Sequence, residues 1–165
     1  MYYFYFDASA LVKRYTQEIG SDKINFLFNN VPLSRMMCLI LGVVELFWIC
    51  VRKKNDGRIT NIDFSQAGIN FNYEVIGNQS DFKTLSVPDS LVWGSMNLIE
   101  THSLNSVDAI VLCSALNLAT ELRNTGNTLV LIASDQRLLR AARAEGLHVF
   151  NPETDSQQTL TDWID

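Results

Sequence analysis

The chain begins with an unbroken aromatic run, Tyr2–Phe6, that ends directly at an acid, Asp7. A strand with large apolar side chains on both faces must be covered on both sides, which is typical of a central strand in a parallel sheet. Parallel strands are joined by crossovers that are usually helices, so this run favours a layered α/β fold. The residue that follows such a strand, Asp7, lies at the carboxyl edge of the sheet.

The rest of the chain alternates between short apolar runs and longer segments with helical periodicity. Further strands are predicted at Met36 to about Ile40, Asp81–Val87 (half polar, hence at an edge), Thr128–Ala133 and Leu147–Phe150. Helices are predicted at Ala10 to about Ile19 with Ser9 as cap, Ser21 to about Phe28, Gly42–Lys54, Asn61 to about Ile76, Asp89–His102, Val107 to about Arg123, and Ser134 to about Glu145. This alternation predicts an α/β sandwich around a mostly parallel sheet of about five strands.

Length and composition fit one domain with a real core. The chain has 165 residues, 47% of them hydrophobic, and no repeat or linker divides it. We therefore predict one domain over residues 1–152, followed by a polar, loosely attached tail over residues 153–165. The longest apolar run, Met36–Val51, is too short for a membrane span and contains an acid, and the start of the chain has no basic n-region. We expect a soluble, cytoplasmic protein.

Four separated acids stand where a sheet of this kind forms its sites. Asp7 and Asp135 follow predicted strands, and Asp108 lies in the first turn of its helix. Sites in open parallel sheets form beyond the carboxyl ends of the strands, so we expect these side chains to face one crevice. Glu45 is the only charge between Arg35 and Arg52, and a carboxylate on an apolar helix face is costly without a partner.

Each acid also has a structural explanation of its own. Asp135 is placed to cap a helix, Asp7 to end a strand in a turn, and Asp108 to stabilise a helix amino terminus. Glu45 has nearby arginines as candidate partners, Arg35 and Arg52. Taken together, the four favour a shared site. Two carboxylates about 4 Å apart repel by roughly 4 kcal/mol at an effective dielectric of about 20, so four ionised groups need a cation.

The donor set selects the chemistry of that cation. Ligands that are all oxygen favour a hard ion, Mg²⁺ or Mn²⁺, which activates water and clamps a phosphodiester during in-line displacement. No Ser-His-Asp set, P-loop or GxGxxG is present. The chain carries 13 Lys and Arg against 18 Asp and Glu, a net charge of −5. Nucleic acid binding would therefore require a local basic strip or a bound metal ion.

Four motifs, in this order and spacing, resemble those of PIN domains of the VapC toxin class. They are Asp7-Ala-Ser-Ala-Leu-Val-Lys-Arg-Tyr15 with Glu18, Gly20 and Ser21, then Val44-Glu45, Val107-Asp108-Ala109-Ile110, and Ser134-Asp135-Gln-Arg-Leu138. The closing segment, Val149–Pro152, is also similar to the family's last strand. The resemblance covers about residues 1–152.

This resemblance implies a three-layer α/β/α sandwich and cleavage of RNA with Mg²⁺ or Mn²⁺. In the family, the residues matching Asp7 and Asp108 hold the metal directly, and those matching Glu45 and Asp135 complete the pocket or orient water. Ser9 matches a small hydroxyl residue that hydrogen-bonds a site carboxylate; helix capping is its alternative role. The class consists of toxins of type II toxin–antitoxin pairs, which usually dimerise and are inhibited by a small antitoxin protein.

The chain departs from the family pattern in two places, and other functions stay open. Extra length falls near Asn61–Ser80, and Leu41-Gly42 stands where the family has a small polar residue. Among the basic residues we favour Lys13 and Arg14 as RNA contacts; a solvated helix face is the more common role for the others, Arg52-Lys53-Lys54 and Arg137, Arg140 and Arg143. Alternatives are a non-catalytic PIN-like binding module, a receiver-like phosphoacceptor domain, and a DNA-directed structure-specific nuclease.

Overall fold

Five parallel strands form a single sheet in the computed structural model, which describes residues 1–164. The spatial order is β3-β2-β1-β4-β5. Every neighbouring pair is parallel, as the sequence predicts. The strands are β1 Tyr2–Phe6, β2 Met36–Leu39, β3 Lys83–Leu85, β4 Thr128–Ile132 and β5 His148–Phe150.

Strand β1 lies in the middle of the sheet because its aromatic residues need cover on both faces. Phe4, Tyr5 and Phe6 are at most 1% exposed. Phe4 and Phe6 belong to the core cluster on one face of the sheet, and Tyr5 belongs to the cluster on the other. Strand alternation thus divides one aromatic run between two cores.

Eight α-helices cover the two faces and complete a three-layer α/β/α sandwich. They are α1 Ala8–Leu11, α2 Ser21–Asn30, α3 Ile40–Asn55, α4 Asn61–Phe71, α5 Asp89–His102, α6 Ser106–Arg123, α7 Gln136–Ala144 and α8 Gln157–Ile164. Residues of α1–α4 and α8 pack into one core, and residues of α5, α6 and α7 pack into the other. The predicted fold class is confirmed.

The first helix is shorter than the sequence predicts. A helix to about Ile19 was expected, but α1 ends at Leu11 and continues only as a 3₁₀ turn, Val12–Arg14. The chain beyond this turn forms a loop in which the Ser21 hydroxyl donates to the Thr16 carbonyl at 3.2 Å and accepts from the Glu18 amide at 3.0 Å. Lys53 of α3 also donates to the Thr16 hydroxyl at 2.7 Å, so a tertiary contact holds this loop in place of a longer helix.

Gly20, which follows this loop, lies close to the backbone of Pro152. Its φ is +87°, a left-handed conformation that favours glycine. A Cβ at this position would lie 2.6 Å from the carbonyl oxygen of Pro152. Gly20, rather than Ser21, is the residue that precedes α2 as its cap.

The segment with extra length forms a helix that changes its hydrogen-bonding pattern. Thr60 and Asp63 form a capping box that starts α4. Beyond Phe71 the chain continues as a π-helical turn, Asn72–Ile76, within the range predicted as one helix. Such turns are rare, so α-helical periodicity in the sequence does not indicate them.

The expectation of a loosely attached tail is wrong for residues 157–164. These residues form α8, whose Leu160 is fully buried in the core. The Trp163 ring stacks on Tyr2, with 5.8 Å between centroids, and meets Phe150 edge-on at 6.1 Å. The segment is polar overall, yet two apolar residues three positions apart suffice to dock it. The domain boundary near residue 152 stays a prediction.

No single helix within residues 1–164 is long and apolar enough to cross a membrane. Helices α5 and α6 satisfy the length and apolarity criteria only as a pair, and this pair is bent by 111°.

We expect Leu160→Ala to destabilise the protein by about 2–5 kcal/mol, because it leaves a cavity where a fully buried side chain packed. Urea unfolding followed by circular dichroism measures this change. Gln157→Ala, on the exposed side of α8, is the matched control and should change stability by less than about 0.5 kcal/mol. Equal stability of both variants would contradict the docking of α8.

Candidate active site

The four acids predicted from the sequence lie at the carboxyl edge of the sheet. Asp7 follows β1 directly, and Glu45 lies in the second turn of α3, which begins as β2 ends. Asp108 lies in the first turn of α6, and Asp135 precedes α7 just after β4. Burial raises the pKa of Asp7, Glu45 and Asp108, and negative charge on neighbouring acids of the set adds to each rise.

Asp7 is the most buried of the four, at 6% exposure. It caps α1, and its Oδ2 accepts hydrogen bonds from the Ser9 amide at 3.0 Å and from the Ser9 hydroxyl. Burial raises the pKa of Asp7, the bonds from Ser9 oppose that rise, and the charge of Asp135 adds to it. The carboxylate thus sits in a place that needs a counter-charge.

Ser9 joins the two central strands at the site. Its hydroxyl donates to Asp7 and accepts a hydrogen bond from the Ser134 amide at 2.9 Å. The hydrogen bond to a site carboxylate expected for Ser9 is present, whereas the cap of α1 is Asp7. Because Asp7 N also donates to the Ile132 carbonyl at 2.9 Å, the turns after β1 and β4 are held together.

Glu45 faces this cluster without a cationic partner. Among residues 1–164 it forms no ion pair, so neither arginine considered for it from the sequence serves that role. The guanidinium of Arg52 lies 4.6 Å from the ring centroid of Trp48 instead. Burial raises the pKa of Glu45 to about 7, and the negative charges of Asp7 and Asp108 contribute to that rise.

Asp108 is oriented by the cap of its own helix. The Asn105 side chain accepts from the Asp108 amide at 2.9 Å, and its Nδ2 donates to Asp108 Oδ2 at 2.7 Å. Burial raises the pKa of Asp108 to about 6, the charges of Asp7 and Asp135 add to the rise, and Arg137 opposes it. The sequence predicts this helix from Val107, and no role at the site is predicted for Asn105. An N-cap residue three positions before an acid is the signal that reveals it.

Asp135 combines a structural role with its place in the cluster. Its Oδ1 accepts hydrogen bonds from the amides of Arg137 at 2.7 Å and Leu138 at 3.1 Å. Asp135 therefore caps α7, which is the structural role considered for it from the sequence. The charge of Asp135 also raises the pKa of Asp7 and Asp108. Because the cap uses the Oδ1 atom of Asp135, the Oδ2 atom is left for interactions at the site.

The donor chemistry of the cluster fits a hard divalent cation. Cys38, the nearby soft group, is buried, and its pKa is raised to about 12, so it is a neutral thiol. The remaining donors are carboxylate oxygens, which suit Mg²⁺ or Mn²⁺. Within residues 1–164, however, no three His, Cys, Asp or Glu side chains are already grouped to hold a metal ion. Binding would therefore draw the carboxylates closer together.

The two basic residues favoured from the sequence are held in internal ion pairs. Lys13 is 4% exposed, and its Nζ lies 2.7 Å from Glu153 and 3.3 Å from Glu18. Arg14 binds Glu74 through two nitrogens, at 2.6 and 3.1 Å. A contact with RNA would require these pairs to open, so the structure does not support this prediction.

The chain belongs to the PIN domain family, which matches residues 4–144. Among solved structures it is similar in fold to PAE2754 from Pyrobaculum aerophilum, with a TM-score of 0.56 and 20% sequence identity. That similarity covers 98% of this chain and 94% of the other. A comparison with curated proteins finds no match. PIN domains are generally metal-dependent nucleases, so the carboxylate cluster lies in a nuclease-type fold.

We expect Glu45→Gln to gain stability relative to the metal-free wild type as pH rises. The folded-state pKa of Glu45, about 7, lies above its ordinary value of 4.5. Protonated Glu45 contributes its full stabilisation of the folded state below about pH 4.5, and this contribution is lost as the pH rises through about 7. After discounting for solvent screening, we expect the difference in free energy of unfolding between the two proteins to change by about 1–2 kcal/mol over this pH range.

Urea unfolding of both proteins in EDTA, at pH 4.5 and pH 8, measures this difference. Glu121→Gln, on the exposed side of α6, controls for the loss of one glutamate. A wild-type protein that gains stability relative to Glu45→Gln as pH rises would overturn the electrostatic description of the cluster.

Proposed function

We propose that this protein is a metal-dependent endoribonuclease that hydrolyses phosphodiester bonds in RNA. The observation that carries the proposal is the set of four acids at one edge of the sheet, in a chain of the PIN domain family. Burial, together with negative charge from neighbouring acids, raises the pKa of Asp7, Glu45 and Asp108. Such a site attracts a divalent cation, and the cation in turn attracts a phosphate.

Each acid has a role in this proposal. Asp7 and Asp108 hold Mg²⁺ or Mn²⁺, because Ser9 and Asn105 fix the orientation of their carboxylates. Glu45 and Asp135 complete the metal pocket and orient the attacking water. The ion, when bound, polarises the phosphate and lowers the pKa of bound water. Ser9 is a positioning residue that keeps Asp7 in register with the turn after β4.

The proposed biological role is that of a toxin in a type II toxin–antitoxin pair. The resemblance of four motifs to those of the VapC toxin class supports this role, and the acids of these motifs follow or begin elements at the same edge of the sheet. A toxin of this kind would be inhibited by a small antitoxin protein.

We expect Asp108→Asn to abolish metal-dependent cleavage of RNA while the protein stays folded, because the amide keeps the shape and loses the charge. Total RNA incubated with MnCl₂ or MgCl₂, beside an EDTA control, measures cleavage. Asp89→Asn is the matched control, since Asp89 also lies in the first turn of a helix, α5, but its charge does not contribute to the raised pKa of Asp7, Glu45 or Asp108. Expression of the active protein in bacteria should arrest growth, and expression of Asp108→Asn should not.

Full cleavage by Asp108→Asn would refute the assignment of the site. Cleavage of DNA but not RNA would favour a DNA-directed nuclease. A folded wild-type protein that cleaves neither would point to a non-catalytic binding module. Cleavage of RNA without growth arrest would keep the ribonuclease and reject the toxin.

We further propose that two copies associate through apolar residues beside the edge strand β3. Trp93, Met96 and Ile99 on α5 are 66%, 57% and 37% exposed. Val44 and Phe47 on α3 are 65% and 53% exposed. Exposed apolar groups at this density are typical of protein interfaces. Helix α3 packs against β3 and helix α5 follows it in the chain, so these exposed residues support association at this edge.

We expect the wild-type protein to be a dimer and Trp93→Glu to be monomeric, because a buried charge opposes association. Light scattering coupled to size-exclusion chromatography measures the mass. Ile62→Glu, at an 80% exposed apolar position on α4, is the matched control and should leave the dimer intact. A monomeric wild type would refute this part of the proposal.

A further inference from the structure

A groove of about 530 Å³ lies between the end of α5 and the outer face of α7. Arg137 and Arg140 line it from α7, and Thr101 and Ser103 line it from the end of α5. Two guanidinium groups and two hydroxyls thus meet in one concave surface. Ser103 has a φ of 53°, a left-handed conformation that is uncommon for a residue with a Cβ, and it turns the chain at the rim.

Arg137 and Arg140 differ from the paired cations Lys13, Arg14 and Lys53 in that no acid between residues 1 and 164 forms an ion pair with them. Both are exposed, and neither forms an ion pair with any residue between 1 and 164. Glu145, the acid at the end of α7, is paired with His102 at 2.7 Å. The groove therefore presents two guanidinium groups that no ion pair holds, on a protein whose net charge is −5.

One arginine of the groove, Arg137, lies two residues after Asp135 at the start of α7. The Arg137 amide donates to Asp135 Oδ1 at 2.7 Å, so the arginine adjoins the site through the backbone. Arg140 follows about one helical turn later on the same side of α7. A polynucleotide strand that leaves the acids along α7 would meet Arg137 first and Arg140 second.

We propose that this groove binds the backbone phosphates of the RNA strand next to the bond that is cleaved. The inference rests on the proposed ribonuclease function and adds the surface that holds the substrate. A guanidinium group matches a phosphate through paired N–H donors and keeps its charge at every physiological pH. Thr101 and Ser103 supply hydroxyls for phosphate or ribose oxygens. An acidic protein binds RNA through a local basic strip or a bound metal ion, and this groove supplies a basic strip.

Arg143 offers a matched control on the same helix. It is an exposed arginine of α7 that does not line the groove. Arg140→Gln and Arg143→Gln remove the same charge from the same element, so bulk electrostatics changes equally in both. Only a directional contact in the groove separates the two variants.

The test measures binding of a fluorescein-labelled 12-nucleotide oligouridine by fluorescence anisotropy. The full chain carries Asp108→Asn, with MnCl₂ present, so that the probe is not cut. We expect Arg140→Gln to weaken binding about 3- to 10-fold and to lower the slope of log K against log[salt] by about 0.7, the value for one lost contact to a single strand. Arg143→Gln should match the parent in affinity and slope.

Equal affinities for Arg140→Gln and Arg143→Gln would refute the proposal that the groove binds RNA, whether or not the wild-type protein cleaves RNA. Loss of binding in Arg140→Gln, with no metal-dependent cleavage by the wild type, would support the groove and refute the nuclease. The same dependence on Arg140 with oligothymidine would support a phosphate contact that does not read the sugar. Absence of binding to both probes would overturn the proposal.

Discussion

The register of strand β1 between its two neighbours determines where every group of the site lies. Phe6 is opposite Cys38 of β2 and Ile132 of β4, so all three strands end at one edge. Asp7 then extends the pairing by one hydrogen bond to Ile132, and Ser9 reaches the turn after β4. A shift of one residue in β1 would exchange its two aromatic faces and carry Asp7 away from the other acids. Core packing and site geometry therefore depend on the same set of hydrogen bonds.

The distribution of cations complements this concentration of acids. Lys13 and Lys53 are buried and share Glu18, while Arg14 is bound to Glu74. These ion pairs link the 3₁₀ turn after α1, helix α3 and the π-helical turn. On the opposite layer, the exposed arginines of α7 form no ion pair with any residue between 1 and 164. The two buried lysines are thus neutralised by acids, whereas the arginines next to the candidate site are not.

Much of this arrangement follows from local sequence, and the remainder depends on distant partners. The strands, the long helices and the four acids could be placed because apolar period, caps and strand ends are local signals. The end of α1 could not, since Thr16 and Glu18 are held by Ser21 and by lysines. Docking of α8 rests on Leu160 and Trp163 within a polar segment. The ion pair between Lys13 and Glu153 could not be predicted from the sequence either, because no local pattern joins residues so far apart.

The pairing of Tyr2 with Thr128 in adjacent strands bears on the order of folding. Contacts between residues this distant in sequence form slowly, since the intervening chain must first be ordered. Helices and the pairing of β1 with β2 can form earlier, but Asp135 reaches Asp7 only when β4 has been inserted. A partly folded chain would therefore carry at most part of the cluster. The complete candidate site therefore requires the whole sheet, with β4 inserted between β1 and β5.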